Sequence, residues 1–335
     1  MSDPNLHQNK SGGARAGRIQ ILMCTHNGAE HLAEQLQSFL DQTHDNWALW
    51  VRDDRSTDET MEILTAFRQA HPERDIRLLA GGGQGSAINF VSLLAHPDLP
   101  PGPVALADQD DVWLPHKLER AMAELARVGI RTGVSATSVQ ELPAVYSSRT
   151  YLTNAALQGR KPSVIHKQGP GFGNALVQNI LAGNAMVLNA KAVSLLRLAA
   201  PAALKAPICH HDWWIYLVAT AAGARVINDL EPGLLYRQHG QNLMGANRGM
   251  GRAIERLTML TDGRYAEWVS RNLDALQAAP IAMAPTEAAL LRSFVQLRKG
   301  RSGLGRVRDL WRLGVRRQTW MGTLTLYLLA LTGRL

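Results

Sequence analysis

Short apolar runs alternate with stretches of helical periodicity through the first part of the chain. Four apolar runs predict β-strands, at residues 19–24, 47–52, 76–79 and 104–107. Between them, apolar residues recur every three or four positions and predict helices, at residues 29–40, 58–70, 86–94 and 116–128. Strands that alternate with helices in this way favour a mostly parallel sheet covered by helices.

The pattern is weaker in the second part of the chain. Residues 130–175 lose clear periodicity and contain several Pro and Gly residues, so we interpret them as a variable loop region. Two further helices and two short strands are predicted, at residues 190–199, 212–222, 226–229 and 234–236. From about residue 251 the pattern is predominantly helical. We therefore expect a disordered lead-in over 1–18, an α/β domain over 19–250 and a helical region over 251–335.

Composition and charge narrow the function classes. The chain has 335 residues, 46% of them hydrophobic, and its two cysteines show neither a disulfide framework nor metal-ligand spacing. The polar amino-terminal stretch does not resemble a signal peptide, so we expect a cytoplasmic location. The net charge is +8, and residues 298–335 carry nine basic residues against Asp309 alone. The rest of the chain is therefore neutral, which argues against a nucleic-acid groove and favours a localised docking surface.

The basic tail has two possible interpretations. On a helix, Val307 and Leu310 would share one face with Trp311 and Val315, while basic residues recur every four positions on another face. We favour peripheral binding to an anionic membrane surface. The alternative is a helix that packs on the protein's own core and leaves its basic face in solvent. The apolar stretch 320–331 is short of the roughly 20 residues that span a bilayer.

Three carboxylates follow the fourth predicted strand. Asp108 and Asp110 are two positions apart, so on an extended chain both point the same way and can address one divalent cation. Asp111 completes a cluster whose mutual repulsion a cation would relieve. The alternative is a solvated acidic turn before the helix that begins near Pro115.

The second predicted strand also ends in acidic residues. Asp53 and Asp54 lie where a carboxylate could accept hydrogen bonds from a nucleobase or a ribose. Helix capping would explain Ser56, Thr57 and Asp58, but it would not explain Asp53 and Asp54. We therefore interpret the strand end as a ligand contact. The nearby Gly81–Gly85 stretch does not have the spacing of a dinucleotide-binding fingerprint.

Asp212 stands at the predicted start of an apolar helix, beside two tryptophans. It is a candidate general base, and the alternative is a simple helix cap. The adjacent His210 and His211 do not predict zinc, because neighbouring histidines in regular structure do not converge on one ion. Arg237 and His239 follow a predicted strand two positions apart, so both could face an anion or a metal.

Six motifs in this order resemble the bacterial family-2 glycosyltransferases, most closely the rhamnosyltransferase-type branch that builds surface polysaccharides. They are Thr25-x-Asn27-Gly28, Asp53-Asp54-x-Ser56-Thr57-Asp58, Gly83-x-Gly85 with Asn89, Asp108-Gln109-Asp110-Asp111-x-Trp113, His211-Asp212-Trp213-Trp214 and Tyr236-Arg237-Gln238-His239. The resemblance covers roughly residues 19–247. His26 and Arg55 depart from it, since the family usually has Tyr and Gly at these positions.

The resemblance implies a GT-A fold: a mostly parallel central sheet flanked by helices, here with a helical C-terminal extension. It also implies a nucleotide-diphosphate sugar donor, inversion at the anomeric carbon and a Mg²⁺ or Mn²⁺ ion. Asp212 would be the catalytic base, and Asp110 and His239 would hold the metal. Donor contacts would come from Thr25, Asn27, Asp53, Asp54, Asn89, Asp108 and Arg237.

We therefore expect a metal-dependent glycosyltransferase of cell-surface polysaccharide synthesis, docked at the inner face of the plasma membrane. L-rhamnose from dTDP-rhamnose is the favoured donor sugar, and a saccharide or lipid-linked saccharide is the expected acceptor. Acceptor selection is expected in residues 130–175 and around Gly183-Asn184. The competing hypothesis is a non-catalytic nucleotide- or saccharide-binding module at the membrane, and the complete set of acidic residues argues against it.

Overall fold

The computed structural model describes residues 17–128, 130–132, 139–239, 262–300 and 303–335. The predicted lead-in over 1–18 lies outside these ranges except for its last two residues. Residues 251–261 of the predicted C-terminal region also lie outside them.

The first half of the sheet agrees closely with the sequence pattern. Its strands are β1 (Ile19–Thr25), β2 (Trp47–Asp53), β3 (Ile76–Ala80) and β4 (Val104–Ala107). The helices between and after them are α1 (Ala29–Leu40), α2 (Thr60–Ala70), α3 (Ser86–Leu94) and α4 (Lys117–Val128). These strands pair in parallel in the order β3-β2-β1-β4. Their carboxyl ends therefore lie along one edge of the sheet, as predicted.

The second half of the sheet corrects the interpretation of residues 130–175 as a loop region. Its strands are β5 (Val112–Trp113), β8 (Ala144–Thr153), β9 (Lys161–Pro162), β10 (Met186–Leu188) and β11 (Arg225–Arg237), and β6 (Ile130–Thr132) pairs separately with β7 (Val139–Glu141). The order continues from β4 as β10-β8-β11-β5, with β10 antiparallel to both of its neighbours. The two short strands predicted at 226–229 and 234–236 form one long strand, β11, with irregular pairing near Pro232.

The remaining helices cover one face of the sheet. They are α5 (Phe172–Ala175), α6 (Ala190–Lys205), α7 (His211–Ala221), α8 (Arg264–Ala278), α9 (Pro285–Lys299), α10 (Leu304–Arg312) and α11 (Trp320–Thr332). Side chains of Leu22 and Trp50 face this layer, whereas their neighbours Ile21 and Val51 face the opposite layer of α1, α2 and α4. Phe294 of α9 is fully buried in the same core as α6 and α7. The C-terminal helices therefore pack on the α/β body.

The basic tail does not form the single amphipathic helix that its sequence suggests. The helix α10 ends at Arg312, and Gly314 has φ 67°, a left-handed conformation that glycine adopts without a steric penalty. Leu310 and Val315 pack into the core, but Trp311 is 68% exposed, so the predicted shared face of these residues is wrong. Within the described ranges, no helix combines the length and the apolar character needed to cross a membrane.

Candidate functional site

The acidic loop, residues 108–111, follows β4 at the edge where the parallel strands end. One carboxylate oxygen each from Asp108, Asp110 and Asp111 lies within 4.8 Å of the other two. Asp111 is fully buried, whereas Asp108 and Asp110 are partly exposed to the crevice. The predicted cluster is therefore present, and two of its members can reach a ligand in the crevice.

His239 lies against this loop. Its Nε2 atom is 2.7 Å from Oδ2 of Asp110, so the two predicted metal-binding residues are in direct contact. The ring of His31, from α1, lies 5.1 Å from the His239 ring between centroids. His31 was not singled out from the sequence, because a histidine in the first turn of an amphipathic helix carries no local signal of a site.

Arg237 is almost fully buried and braces the acidic loop. Its Nε atom donates to the backbone carbonyl of Asp110 at 2.9 Å, and its two terminal nitrogens donate to the carbonyl of Ala155 and to the Glu34 carboxylate. The guanidinium group thus joins α1, the loop after β8 and the acidic loop. Arg237 therefore supports the loop that carries Asp110.

Asp212 lies in the first turn of α7, and its electrostatic environment links it to the acidic loop. Burial raises the pKa of Asp212 to about 6. Burial, the charge of Asp110 and the charge of Asp212 together raise the pKa of Asp108 to about 7. His210 occupies the cap position of α7 without a side-chain capping bond, and the Asp212 carboxylate accepts from the backbone N–H of Trp213 at 2.7 Å.

The nucleoside side of the predicted site is a network of hydrogen bonds between two loops. Asp53 accepts from the Thr25 hydroxyl at 2.9 Å and from the backbone N–H of Ser56 at 2.9 Å. The side-chain oxygen of Asn27, whose φ is 47°, accepts from the N–H of Thr57 at 2.8 Å. Helix capping by Ser56 or Thr57 is therefore wrong, since α2 begins at Thr60 and both residues belong to this network.

Asp54 and Asn89 lie on either side of the glycine loop, residues 81–85. Asp54 accepts hydrogen bonds from the backbone N–H groups of Gly83 and Gly85, at 2.7 and 2.8 Å. Burial opposes the shift, but the neighbouring Asn89 side chain and the hydrogen bonds from this backbone lower the pKa of Asp54. Asn89 is 1% exposed and accepts from Arg52 beneath the loop. Both residues shape the loop in this structure rather than line the crevice.

Gln109 joins the acidic loop to the loop after β1. Its side chain accepts from the backbone N–H of His26 at 2.8 Å and donates to the His26 carbonyl at 3.0 Å. The amide lies so close to the Cα atom of Gly28 that a side chain at position 28 would collide with it.

Arg55, where the family commonly has glycine, has φ 65°, which accounts for that preference.

A buried cluster below the acidic loop was not predicted. Asp111 accepts from the side-chain amide of Asn184 at 2.6 Å, and the ammonium group of Lys117 donates to the Asn184 carbonyl at 2.6 Å. Burial lowers the pKa of Lys117 and raises the pKa of Asp111. The sequence places Lys117 on a predicted amphipathic helix, but this does not indicate that the side chain is buried, because lysine at the start of a helix is ordinarily exposed.

The sequence of the chain is similar to those of known glycosyltransferases. Residues 20–178 match the sequence model described as Glycosyl transferase family 2. The chain is 27% identical over 261 residues to the dTDP-rhamnosyl transferase RfbG of Shigella flexneri, which covers 76% of this chain and 84% of that protein. It is 30% identical over 147 residues to an uncharacterized glycosyltransferase of Nostoc sp., which covers 44% of this chain and 43% of that protein.

The fold also matches solved structures. The crystal structure of S. aureus TarS in complex with UDP-GlcNAc matches with a TM-score of 0.53 at 13% identity, covering 95% of this chain and 88% of the TarS chain. At this identity the likeness concerns the fold alone, and it confirms the predicted GT-A architecture.

Proposed function

Because the chain belongs to glycosyltransferase family 2 and is a nucleotide-sugar-dependent enzyme, we propose that it catalyses an inverting, metal-dependent sugar transfer between Asp212 and the acidic loop. The acceptor hydroxyl oxygen bonds to the anomeric carbon while the bond from that carbon to the diphosphate oxygen breaks. The nucleoside diphosphate leaves with the bonding electron pair. The contacts of residues 183 and 184 support this proposal, because Asn184 bonds to Asp111 of the acidic loop while Gly183 packs against Asp212. The charge of Asp212 also contributes to raising the pKa of Asp108.

Asp212 is the proposed catalytic base. A pKa of about 6 leaves its carboxylate mostly deprotonated at neutral pH while it remains basic enough to accept the acceptor's proton. Its place in the first turn of α7 also favours the negative charge, since the amino end of a helix carries a partial positive charge.

Asp110 and His239 would hold the Mg²⁺ or Mn²⁺ ion, and Asp108 would lie near the ribose of the donor. Carboxylate oxygens and an imidazole nitrogen suit these ions, and the clustered carboxylates supply the negative charge that a divalent cation offsets. When bound, the ion neutralises charge that develops on the departing diphosphate. Arg237 positions the loop that carries Asp110, through the carbonyl of that residue.

The donor is bound by the loops after β1 and β2 in this proposal. Thr25, Asn27 and Asp53 would contact the nucleoside, and Asp54 and Asn89 would support the adjoining glycine loop. The similarity to a dTDP-rhamnosyl transferase favours dTDP-L-rhamnose as the donor. We propose a saccharide or lipid-linked saccharide of cell-surface polysaccharide synthesis as the acceptor.

We also propose that the protein docks on the anionic inner face of the plasma membrane through its tail. Met321, Leu324, Leu328 and Leu331 of α11 recur along one helix face and are 64%, 49%, 53% and 38% exposed. The opposite face packs into the core through buried leucines. Exposed basic residues of the tail adjoin this surface in the sequence, and a basic and apolar combination suits anionic lipid.

Calorimetric titration with dTDP-L-rhamnose and UDP-sugars tests the proposed function, each with Mn²⁺ and then with a chelator. We expect one donor to bind in a metal-dependent manner, and a purified acceptor then to accept its sugar with inverted configuration. The absence of binding to any donor by the folded protein would refute the proposed function and favour the non-catalytic module.

A further inference from the structure

Asn184 lies in a short 3₁₀ turn, Gly183–Ala185, between the two sides of the proposed active site. It is 5% exposed. Its side-chain amide donates to Asp111 of the acidic loop at 2.6 Å, and its backbone carbonyl accepts from the Lys117 ammonium group at 2.6 Å. Both bonds are buried, so the loss of either partner would leave a buried polar group without its hydrogen bond. The first bond fixes the turn to the loop that carries Asp108 and Asp110, and the second fixes it to α4.

The preceding residue, Gly183, fixes the same turn to the base. The backbone of Gly183 contributes to lowering the pKa of the Asp212 carboxyl and so helps to hold its charged form. A Cβ atom at position 183 would lie 2.6 Å from Nε2 of His211 and 3.2 Å from Cβ of Asp212. The turn and the first turn of α7 are therefore packed too closely to shift independently.

From these contacts we infer that Asn184 is a positioning residue, which sets the separation between the acidic loop and Asp212 through the bond to Asp111. The inference rests on the proposed function, because it concerns the alignment of base and leaving group. An in-line displacement is sensitive to this alignment, and a misplacement of about 1 Å can lower the rate about 10²-fold. Asn184 itself is buried away from the reacting atoms, so its loss would affect turnover more than donor affinity.

The test compares Asn184→Ala with Asn189→Ala. Asn189 is equally buried, at 6% exposure, and bonds to the backbone of Ala192 and Ala144. We expect Asn184→Ala to keep donor affinity and KM within about threefold while kcat falls about 10²-fold. Asn189→Ala should lower the thermal midpoint and leave kcat of the folded fraction unchanged. Equal kcat values for Asn184→Ala and the wild type would overturn the inference.

An exchange of the two partners gives a second test that does not depend on the stability of Asn184→Ala. In the double variant Asp111→Asn with Asn184→Asp, the amide at position 111 donates to a carboxylate at 184. The buried charge next to Lys117 is retained. We expect kcat of the double variant to be at least about tenfold higher than that of Asn184→Ala. If Asn184→Ala does not fold, the reference is the Asp111→Asn single variant, and we expect kcat of the double variant to be at least about tenfold higher than its kcat.

Two results of the exchange separate the possibilities. A double variant that folds but shows no recovery of kcat would overturn the role of the bond. A double variant that loses Mn²⁺-dependent donor binding would also overturn it, because that result would make Asp111 a metal ligand instead. A wild-type protein that transfers no sugar to any acceptor would refute the proposed function itself. In that case the bond between Asp111 and Asn184 would remain a purely structural contact.

Discussion

Asp212 and Asp108 belong to different halves of the chain, yet the charge of Asp212 contributes to raising the pKa of the Asp108 carboxyl. This coupling means that the proposed base and the proposed metal-binding loop share one electrostatic environment.

Replacement of Asp212 separates binding from transfer. We expect Asp212→Asn to bind the donor with unchanged affinity and to lower kcat about 10²- to 10⁴-fold, because the amide cannot accept the acceptor's proton. Calorimetry and a transfer assay on the same sample measure the two quantities. Asp41→Asn, at an exposed carboxylate at the end of α1, is the control and should not change either. Full turnover by Asp212→Asn would remove the assignment of the base.

The rate should fall as the pH is lowered through about 6. The pKa of Asp212 is raised to about 6, so its basic form predominates above that pH and is lost below it. We expect kcat/KM, measured with saturating Mn²⁺ between about pH 5 and 8, to have an acidic limb with this midpoint. A profile that stays level down to about pH 5 would show that Asp212 is not the group that must be deprotonated.

Removal of a metal ligand should weaken the metal-dependent part of donor binding. We expect Asp110→Asn and His239→Gln each to raise the donor Kd in Mn²⁺ by at least about tenfold, and chelation to have little further effect on either variant. His44→Gln, on the loop after α1, is the matched control. Wild-type donor binding that is equally tight with chelator present would contradict the metal site.

Asp54 should matter for stability as much as for binding. Asp54→Ala removes the acceptor for the N–H groups of Gly83 and Gly85, and we expect a loss of about 1–3 kcal/mol in the free energy of unfolding. Because the folded-state pKa of Asp54 is lowered, its contribution is present above the unfolded pKa and disappears as the pH falls through the folded value. Urea denaturation at neutral and at acidic pH measures both effects. Equal stability of the variant and the wild type at neutral pH would refute this role.

The exposed face of α11 should determine membrane binding without affecting the chemistry. We expect Leu324→Ser with Leu328→Ser to reduce sedimentation with phosphatidylglycerol vesicles while donor binding is unchanged. The control is Leu198→Ser, at a 51% exposed position on α6. Binding to the anionic vesicles that survives the double substitution, or wild-type binding that is equal on neutral vesicles, would contradict the proposed surface.

The sequence predicts the first half of the fold well because the spacing of apolar residues there distinguishes each strand and helix from its neighbours. In contrast, β8 was interpreted as a loop, since Ser147, Ser148 and Thr150 are buried polar residues that interrupt its apolar pattern. Their burial follows from pairing with β10 and β11, which are distant in sequence. A local pattern contains no information about such partners.

The same distinction applies to the site. The motif residues at the strand ends do converge, because parallel strands place their carboxyl ends at one edge. The partners of Arg237 could not be predicted, since Glu34 and Ala155 come from elements far apart in the chain. For the same reason the bond between Asp111 and Asn184 was visible only in the folded structure.

The contact between Gln109 and Gly28 has an evolutionary consequence. The amide of Gln109 occupies the space that a side chain at position 28 would need, and it pairs with both backbone groups of His26. We expect homologues with a larger residue at position 28 to have a smaller one at position 109, and to lose this pairing. The two positions should therefore covary.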